Sequence, residues 1–512
     1  AVAAPAQAEP DPKLVAADAL FQSGKFQEAQ VAVEAILRDA EKAKDPLRIA
    51  DAALELAVIK VSLGDMAGAE PLLKRTVELR RKALGPEHRE TVNAEGQYAS
   101  WLTFQGRDRE AEPILARVAT SLEASATNAE ERADAAEARA GHADTLFNLG
   151  FWEQGEVEMK AALAVLTDPK GPRRPTEMAF LTVLADAYMR WGRYADAQQA
   201  AEQALAMREA RQGPNHPEVA GTLNILGLIR MTLGDEAQAE AYYKRALQIA
   251  EASFPDGPLL AQAVEDLGQF YSNTGRQDQA LPLLERALQI REKAGDHTYR
   301  LASTWRIVSA ARLRAGDGPG ADEAIGKAVK VYEETLGPGA AEVGSAKLTW
   351  AQIKYANGDD AGGERLAAEG LAIYRKALSP ESPRLGDALQ LLGLGAERRR
   401  DREAAEARYV EALAAMEKRR PPEHEAVINT RASLANQILI GRQDPRRAYE
   451  TVEPAAEALR KKVLANARLL GKEGAPTLNS GERNVFFISV RAAWAYSESL
   501  KAEAEAGPPA KP

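Results

Sequence analysis

The 512-residue chain contains no cysteine and only five histidines, and aromatic residues make up 6% of it. Without cysteine, the chain has no disulfide, no thiolate metal ligand and no cysteine nucleophile. It also has no run of about eighteen apolar residues, so the sequence predicts no membrane-spanning helix. Its 66 basic and 75 acidic residues give a net charge of −9. This balance argues against nucleic acid as the main partner, because phosphate binding needs a basic face.

The residues that are present favour helices around a buried core. Hydrophobic residues make up 45% of the chain and charged residues 28%, which is ordinary for a protein that buries a core. Much of the hydrophobic content is alanine, the residue with the highest helix propensity. The composition therefore predicts closely packed helices.

The sequence predicts a disordered tail at each end of the chain, over residues 1–12 and 501–512. The first begins "AVAAPAQAEPDPK", which is rich in alanine and proline and has no helical periodicity. It matches the new N-terminus that cleavage of a signal peptide at small residues would leave. The alternative is an arbitrary start of the sequence. We favour export, to the periplasm or outside the cell, over a cytoplasmic location.

A turn followed by a helix start, as in "LGDEAQAE", recurs eleven times at intervals of 40–44 residues. The turn position is occupied by Gly24, Gly64, Gly106, Gly150, Gly192, Gly234, Gly275, Gly316, Gly358, Arg400 and Gly441. Eleven units at one period indicate a repeat architecture. The glycine is expected to end the first helix of each unit in a left-handed conformation.

Small residues flank each turn at fixed distances. In the sixth unit Gly227 lies seven residues before the turn glycine and Ala239 lies five after it, and nearly every unit repeats this pair. A small residue on each of two consecutive helices lets their axes approach closely. The pattern predicts a stack of helical hairpins, each held at a contact between small side chains.

This spacing is that of the tetratricopeptide repeat, and the 42-residue period resembles the repeats of kinesin light chains and of similar bacterial arrays. The resemblance is close in "GPNHPEVAGTLNILGLIRMTLGDEAQAEAYYKRALQIAEA". It implies an all-α right-handed superhelix, an α-solenoid of about eleven hairpins over residues 13–455, with a helical cap over 456–500. Such arrays serve as scaffolds in unrelated systems, so the resemblance implies little about function.

The candidates for catalysis or metal binding are weak. His88, His216, His297 and His424 lie at joints between repeats, about 30 Å or more apart on stacked helices, so they cannot share a metal and are expected to start helices. His142 falls on an inward face and is expected in the core. "HEAVI" lacks the second histidine of a zinc-protease motif, and "GDGPG" lacks the lysine of a phosphate loop. We expect no enzymatic activity, no metal and no cofactor.

The first helix of each hairpin is expected to line a concave groove. Groove positions lie mainly 3, 6 and 10 residues before the turn, and in some repeats 2 before it. The predicted groove residues are Asn148, Asp186, Asn224, Leu228, Met231, Glu265, Gln269, Asn273, Arg306, Arg314, Gln352, Tyr355 and Arg398. In similar repeats an asparagine at the position of Asn224 bonds the backbone of a bound peptide, and a carboxamide offers both a donor and an acceptor. Alternatively, these residues are the solvated polar surface that any solenoid needs.

The C-terminal segment "NVFFISVRAAWAYSESL" places Phe487, Val490 and Trp494 near helical spacing. Because a solenoid's last repeat exposes an apolar face, we expect this helix to cap it. The ending also resembles the TPR arm of bacterial proteins that carry a CHAT, caspase-like, protease domain. The first function hypothesis is a bacterial non-enzymatic scaffold that binds a protein or peptide in its groove. The alternatives are the regulatory or substrate-recruiting arm of such a protease, whose catalytic domain is absent here, and a self-assembling array.

Overall fold

The computed structural model describes residues 11–506 except 23–24, 64, 169, 173, 254–256, 296–297 and 470–479. The chain divides into two compact units. The first comprises residues 1–145, 157–174 and 334–337, and the second comprises 146–156, 175–333 and 338–512. The described residues contain α-helices and one short π-helical turn but no strand, which confirms the predicted all-α solenoid.

The helices are α1 (Pro12–Gln22), α2 (Phe26–Ala43), α3 (Pro46–Ser62), α4 (Met66–Leu84), α5 (Arg89–Phe104), α6 (Asp108–Ser125), α7 (Ala129–Leu149), α8 (Trp152–Leu166), α9 (Thr176–Trp191), α10 (Tyr194–Gln212), α11 (Pro217–Leu233), α12 (Glu236–Ser253), α13 (Pro258–Asn273), α14 (Gln277–Lys293), α15 (Tyr299–Arg314), α16 (Gly318–Leu336), α17 (Ala341–Ala356), α18 (Asp360–Ala377), α19 (Pro383–Arg398), α20 (Arg402–Met416), α21 (Glu425–Gln437), α22 (Pro445–Leu469) and α23 (Ser480–Ala506). Odd-numbered helices up to α21 are the first helices of hairpins, and each even-numbered helix is the second. No described helix is long and apolar enough to cross a membrane.

The small residues lie at the helix contacts, as the repeat pattern predicts. Ala239 is fully buried. Where a repeat has glycine in place of alanine, a large side chain occupies the space. A Cβ atom at Gly227 would lie 2.8 Å from the Tyr243 ring, and one at Gly393 would lie 2.7 Å from the Tyr409 ring. Two repeats therefore share one glycine–tyrosine contact with the same spacing along the chain.

The turns adopt the left-handed conformation that the glycines predict. All seven turn glycines from Gly106 to Gly358 have positive φ angles, between 69° and 87°. Arg400, which replaces glycine in the tenth unit, also has a positive φ, of 61°. The eleventh unit differs from the prediction, since Gln443 rather than Gly441 is left-handed. The π-helical turn Ile438–Arg442 adds residues before the chain reverses and moves the turn along. Gly24 and Gly64 lie outside the described residues.

The residue after the turn is an aspartate or an arginine in most units, and the two residue types have different roles. An aspartate caps the next helix: Asp359, for example, accepts a hydrogen bond from the Gly362 amide at 2.8 Å. An arginine instead reaches back to the preceding repeat, as Arg276 does when its Nη1 donates to Glu240 Oε2 at 2.8 Å. The first role stabilises one helix, and the second joins neighbouring repeats.

Three of the joint histidines start helices, as expected. The Nδ1 atoms of His88, His216 and His424 each accept a hydrogen bond from the backbone N–H two residues later, at 3.2–3.3 Å. Burial lowers the pKa of His424 to about 4, so its ring stays neutral and can accept this bond near neutral pH. His142 is largely buried on α7, with Nε2 3.3 Å from Glu112 Oε1. His297 lies outside the described residues.

Candidate functional site

Five of the predicted groove residues lie together in the second unit. They belong to α11 and α13, the first helices of two consecutive hairpins, which contact each other directly. The two helices and the intervening α12 form a pocket of about 290 Å³. Its lining residues are Asn224, Ile225, Leu228, Met231, Tyr243, Asp266, Gln269, Phe270 and Asn273. No group of three or more His, Asp or Glu side chains that could hold a metal ion occurs in the described residues.

The floor of the pocket is aromatic. Tyr243 rises from α12 and is held against α11 at Gly227, where there is no side chain to displace it. Its ring lies 5.3 Å from the Phe270 ring, centroid to centroid. Such a tilted pair is a stable arrangement of two aromatic rings. The absence of a Cβ atom at Gly227 therefore sets the depth of the pocket.

A chain of hydrogen bonds crosses from one wall to the other. Asn224 Nδ2 on α11 donates to Asp266 Oδ2 on α13, and Gln262 Nε2 donates to Asp266 Oδ1 at 2.9 Å. Burial and the neighbouring Glu265 carboxylate raise the pKa of Asp266 to about 7. The Oδ1 atom of Asn224 is buried and accepts no hydrogen bond from the described residues. An unsatisfied buried acceptor costs about 1–3 kcal/mol, so this atom gains from an added N–H donor.

The outer part of the pocket mixes polar and apolar side chains. Asn273 is exposed, and its Nδ2 lies 3.9 Å from Met231 Sδ, a weak contact. Leu228 is 37% exposed, and Gln269 lies on the facing wall of α13. Carboxamides beside apolar side chains can bond a peptide backbone and also cover an apolar side chain of the same ligand.

Glu265 and Arg306 lie in the adjacent joint and do not line this pocket. Glu265 is only 4% exposed, and its Oε2 is 3.5 Å from an Arg291 nitrogen on α14. Thr304 on α15 donates a hydrogen bond to the same carboxylate. The charge of Arg306 also favours the ionised form of Glu265, although burial raises the pKa of Glu265 overall. The expected groove residue Glu265 is thus a buried inter-repeat contact.

The groove residues of the ninth and tenth repeats are not gathered in a described pocket. Tyr355, expected in the groove, is 2% exposed and lies in the core beneath Gly363 and Gly395, which have no side chains to displace it. Burial raises its pKa to about 12. Gln352 is exposed. Arg398 Nε donates to Asp360 Oδ1 at 2.6 Å, so this arginine is already bonded within the fold.

The residues two positions before the turns form contacts between repeats. Arg190 Nη1 donates to Asn148 Oδ1 at 3.1 Å, and Arg190 Nε lies 2.9 Å from Asp186 Oδ2. Arg314 Nη1 likewise donates to Ser272 Oγ at 3.1 Å. Each bond of Arg190 or Arg314 to the preceding repeat spans 42 residues, one repeat period. Asn148 and Arg314 therefore support the stacking of repeats, whereas Asp186, six residues before its turn, pairs with Arg190 within α9.

Asp266, Ile225, Tyr243 and Phe270 belong to the pocket but escape the sequence prediction. The prediction took the position ten before the turn in every repeat, which selects Glu265 on α13. Helical spacing from Gln269 and Asn273 leads instead to position 266, because residues three and seven apart share a face. The prediction missed Tyr243 for another reason. This residue belongs to the second helix of a hairpin, and second helices were not expected to reach the groove.

A family model for the tetratricopeptide repeat matches residues 48–124 and 218–293, and a second tetratricopeptide model matches 178–218. These segments include both walls of the pocket. The chain carries tetratricopeptide repeats. The TPR resemblance seen in the sequence is thereby confirmed. No match to a curated protein is found.

Several solved structures are similar to this TPR chain. BtubC (BKLC) from P. vanneervenii is 24% identical with a TM-score of 0.37, covering 44% of this chain and 92% of its own. A Rap protein in complex with competence and sporulation factor is 13% identical with a TM-score of 0.43, covering 71% and 99%. Yeast Tom70 is 12% identical with a TM-score of 0.45, covering 95% and 96%.

Proposed function

We propose that this TPR protein is a binding scaffold that holds an extended peptide segment of a partner protein at the α11–α13 pocket. Stacked helical repeats offer extended concave surfaces for such contacts. The single observation that carries the proposal is the unfilled acceptor of Asn224 beside the carboxamides of Gln269 and Asn273.

The hydrogen-bonding pattern suits a peptide backbone. Asp266 accepts a hydrogen bond from the Asn224 Nδ2, and the buried Oδ1 has no partner among the described residues, so a backbone N–H that reaches Oδ1 would fill the unused acceptor. Gln269 and Asn273 lie on the opposite wall and each offers a donor and an acceptor. An extended strand presents N–H and C=O groups to either side, so it can bond both walls.

The apolar side chains supply the second part of the recognition. Leu228 and Met231 flank the carboxamides, and Tyr243 and Phe270 form the floor. A pocket of about 290 Å³ takes one or two apolar side chains, not a large cofactor. The preferred ligand is therefore an extended segment with an apolar anchor. The alternative role as an arm of a CHAT-type protease remains a prediction from resemblance.

The experiment uses a peptide library displayed on phage and selected on the full-length chain. Selected peptides are then titrated against wild type, Asn224→Ala, Asn273→Ala and the double variant. We expect the double variant to weaken binding about tenfold, from two lost hydrogen bonds at about 0.5–1.5 kcal/mol each.

Gln238→Ala is the matched control, since it removes an exposed carboxamide from α12 outside the pocket. Its affinity for the selected peptides should equal that of wild type. If the selected peptides bind all four variants as tightly as wild type, the pocket is not the binding site.

A further inference from the structure

The last helix, α23, covers the end of the second unit with one face. Val485, Ile488 and Ala492 on this face are buried and join the core cluster formed with α21 and α22. Residues spaced by three and four lie on one side of a helix, so this face packs on α21 and α22, and we call it the capping face. The capping residues are not, however, the ones that the aromatic spacing singles out.

The aromatic residues Phe487 and Trp494 lie on the opposite face of α23. Phe487 is 61% exposed, Val490 is 66% exposed and Trp494 is 68% exposed. Arg491 lies over the Phe487 ring at 5.7 Å. The other described large apolar residues that are more than half exposed, Val15, Val31 and Val157, are single valines, which are normal on a protein surface. The three residues on α23 instead form one contiguous apolar stripe.

The residues of the stripe have the spacing found where two helices pack along each other. Arg483, Phe487, Val490, Trp494, Ser497 and Lys501 follow one another at spacings of 4, 3, 4, 3 and 4 residues. This alternation keeps side chains on the line where two helices meet at a small crossing angle. The main contacts of α23 are with α21 and α22, and the core residues in these contacts lie on its capping face.

The outer face of α23 is complementary to itself when two copies run in opposite directions. In an antiparallel pair centred between Val490 and Arg491, Phe487 of one copy lies opposite Trp494 of the other. Arg483 then lies opposite Glu498, so both ends of the pair bring opposite charges together. We propose that this face forms a two-fold symmetric contact with the same face of a second copy of the chain.

The self-pairing follows from symmetry and charge. A two-fold contact requires one patch to match itself, and here two pairs of positions, 487 with 494 and 483 with 498, exchange partners about a single centre. Glu498 Oε1 lies 2.7 Å from Lys501 Nζ in the same copy, but both side chains are well exposed, and this short-range pair is weak. One helix face is small for an interface, so the dimer is expected to be weak and dependent on concentration.

Sedimentation velocity of the full-length chain, over about 1–300 µM, measures the self-association. Wild type should shift from monomer to dimer in this range, and Trp494→Glu should raise the dimer dissociation constant at least about tenfold. Val157→Glu is the matched control, because Val157 is 67% exposed but lies on α8, and it should leave the constant unchanged. All three proteins should have the same melting temperature.

A charge exchange tests the antiparallel register itself. Arg483→Glu and Glu498→Arg should each weaken the dimer, because like charges then face each other at both ends. An equimolar mixture of these two variants should associate as tightly as wild type, because each end of the mixed pair again joins opposite charges. In a parallel pairing each position would face itself, so wild type would already join like charges, neither variant alone would weaken the dimer, and the mixture would bind more tightly than wild type.

The absence of native cysteine allows a direct check of the contact. Val490→Cys places a thiol beside the two-fold centre, and mild oxidation should form a covalent dimer in high yield. Val157→Cys should stay largely monomeric under the same conditions. A wild-type chain that is monomeric throughout the range, or a dimer that Trp494→Glu leaves intact, overturns the proposal and assigns the stripe to a different partner.

Discussion

Two neighbouring stretches of the second unit use their groove side chains differently. Between α11 and α13 the polar groups surround a pocket, and Asn224 Oδ1 accepts no hydrogen bond from the described residues. From α15 to α19 two of the groove arginines are engaged within the fold, since Arg314 donates to Ser272 and Arg398 donates to Asp360. The Tyr355 hydroxyl on α17 also has no partner among the described residues, but it is buried against Gly395 and lines no described pocket. An unused polar atom beside a pocket therefore distinguishes the first stretch.

The difference follows from side-chain length. An asparagine on a first helix reaches only the facing helix, so part of its amide can be left without a partner. An arginine is long enough to reach the preceding repeat or the start of the adjacent second helix, where it finds an acceptor. A ligand that recruits Arg398 must first break its bond to Asp360, and this reduces the net gain on binding.

The largest expected effect is a loss of peptide affinity. It distinguishes a substitution that changes the pocket from one that changes only a helix contact. Gly227→Ala and Gly393→Ala each place a methyl group less than 3 Å from a tyrosine ring, so both should destabilise the protein by about 1–3 kcal/mol. Only Gly227→Ala displaces Tyr243 into the pocket. We expect that variant alone to lose peptide affinity more than tenfold, by titration at a temperature where both remain folded. Equal losses, or none, would remove the pocket from the binding site.

A smaller effect should appear in the pH dependence of stability around the pocket. The pKa of Asp266 is raised to about 7, above its ordinary value of 3.8, so the folded state binds the proton more tightly than the unfolded state. The folded state therefore loses stability as pH rises from about 4 to about 7. Between pH 5 and pH 8 we expect protection of α11 and α13 in hydrogen exchange to fall by on the order of 1–2 kcal/mol. Asp266→Asn should abolish this pH dependence.

Glu240 provides the control for that experiment. Hydrogen bonds from Lys244 and Arg276 lower its pKa to about 2, so its contribution to stability is present above its ordinary pKa of 4.5 and is lost only as pH falls toward 2. Glu240→Gln should therefore destabilise the protein by the same amount at pH 5 and pH 8. A wild-type profile as flat as that of Asp266→Asn would show that Asp266 titrates in its ordinary range.

The smallest effects are expected from the arginines. Arg314→Ala and Arg398→Ala each remove one partly exposed bond, which typically contributes about 0–1 kcal/mol. Peptides selected on the wild-type chain should bind both variants within about threefold of wild type. A tenfold loss for either variant would extend the site to the later repeats and end the contrast between the two stretches.

The sequence brings groove residues together where a position in the repeat fixes the direction of a side chain, and their role in binding stays a prediction. Asn224, Leu228, Met231, Gln269 and Asn273 meet in one pocket because α11 and α13 keep the repeat register. The groove prediction did not anticipate the burial of Glu265 and Tyr355. Both occupy repeat positions that are open in other units, and only the neighbouring side chains decide whether such a position is covered.

The aromatic face of α23 shows the same limit. Periodicity identifies Phe487, Val490 and Trp494 as one face of a helix, but a helix with two apolar faces does not specify which of them packs inward. The three-and-four spacing of Val485, Ile488 and Ala492 is equally regular, and these smaller side chains join the core cluster with α21 and α22. The larger side chains are left outside.

The sequence by itself determined the helical hairpins, their period and their close contacts, because small residues and left-handed turns act locally and recur at fixed distances. It could not determine which polar side chains find partners. That depends on atoms from a neighbouring repeat, such as Asp266 for Asn224 and Asp360 for Arg398. The tertiary structure decided this by packing, which brings distant residues within hydrogen-bonding distance and leaves Asn224 Oδ1 without a partner among the described residues.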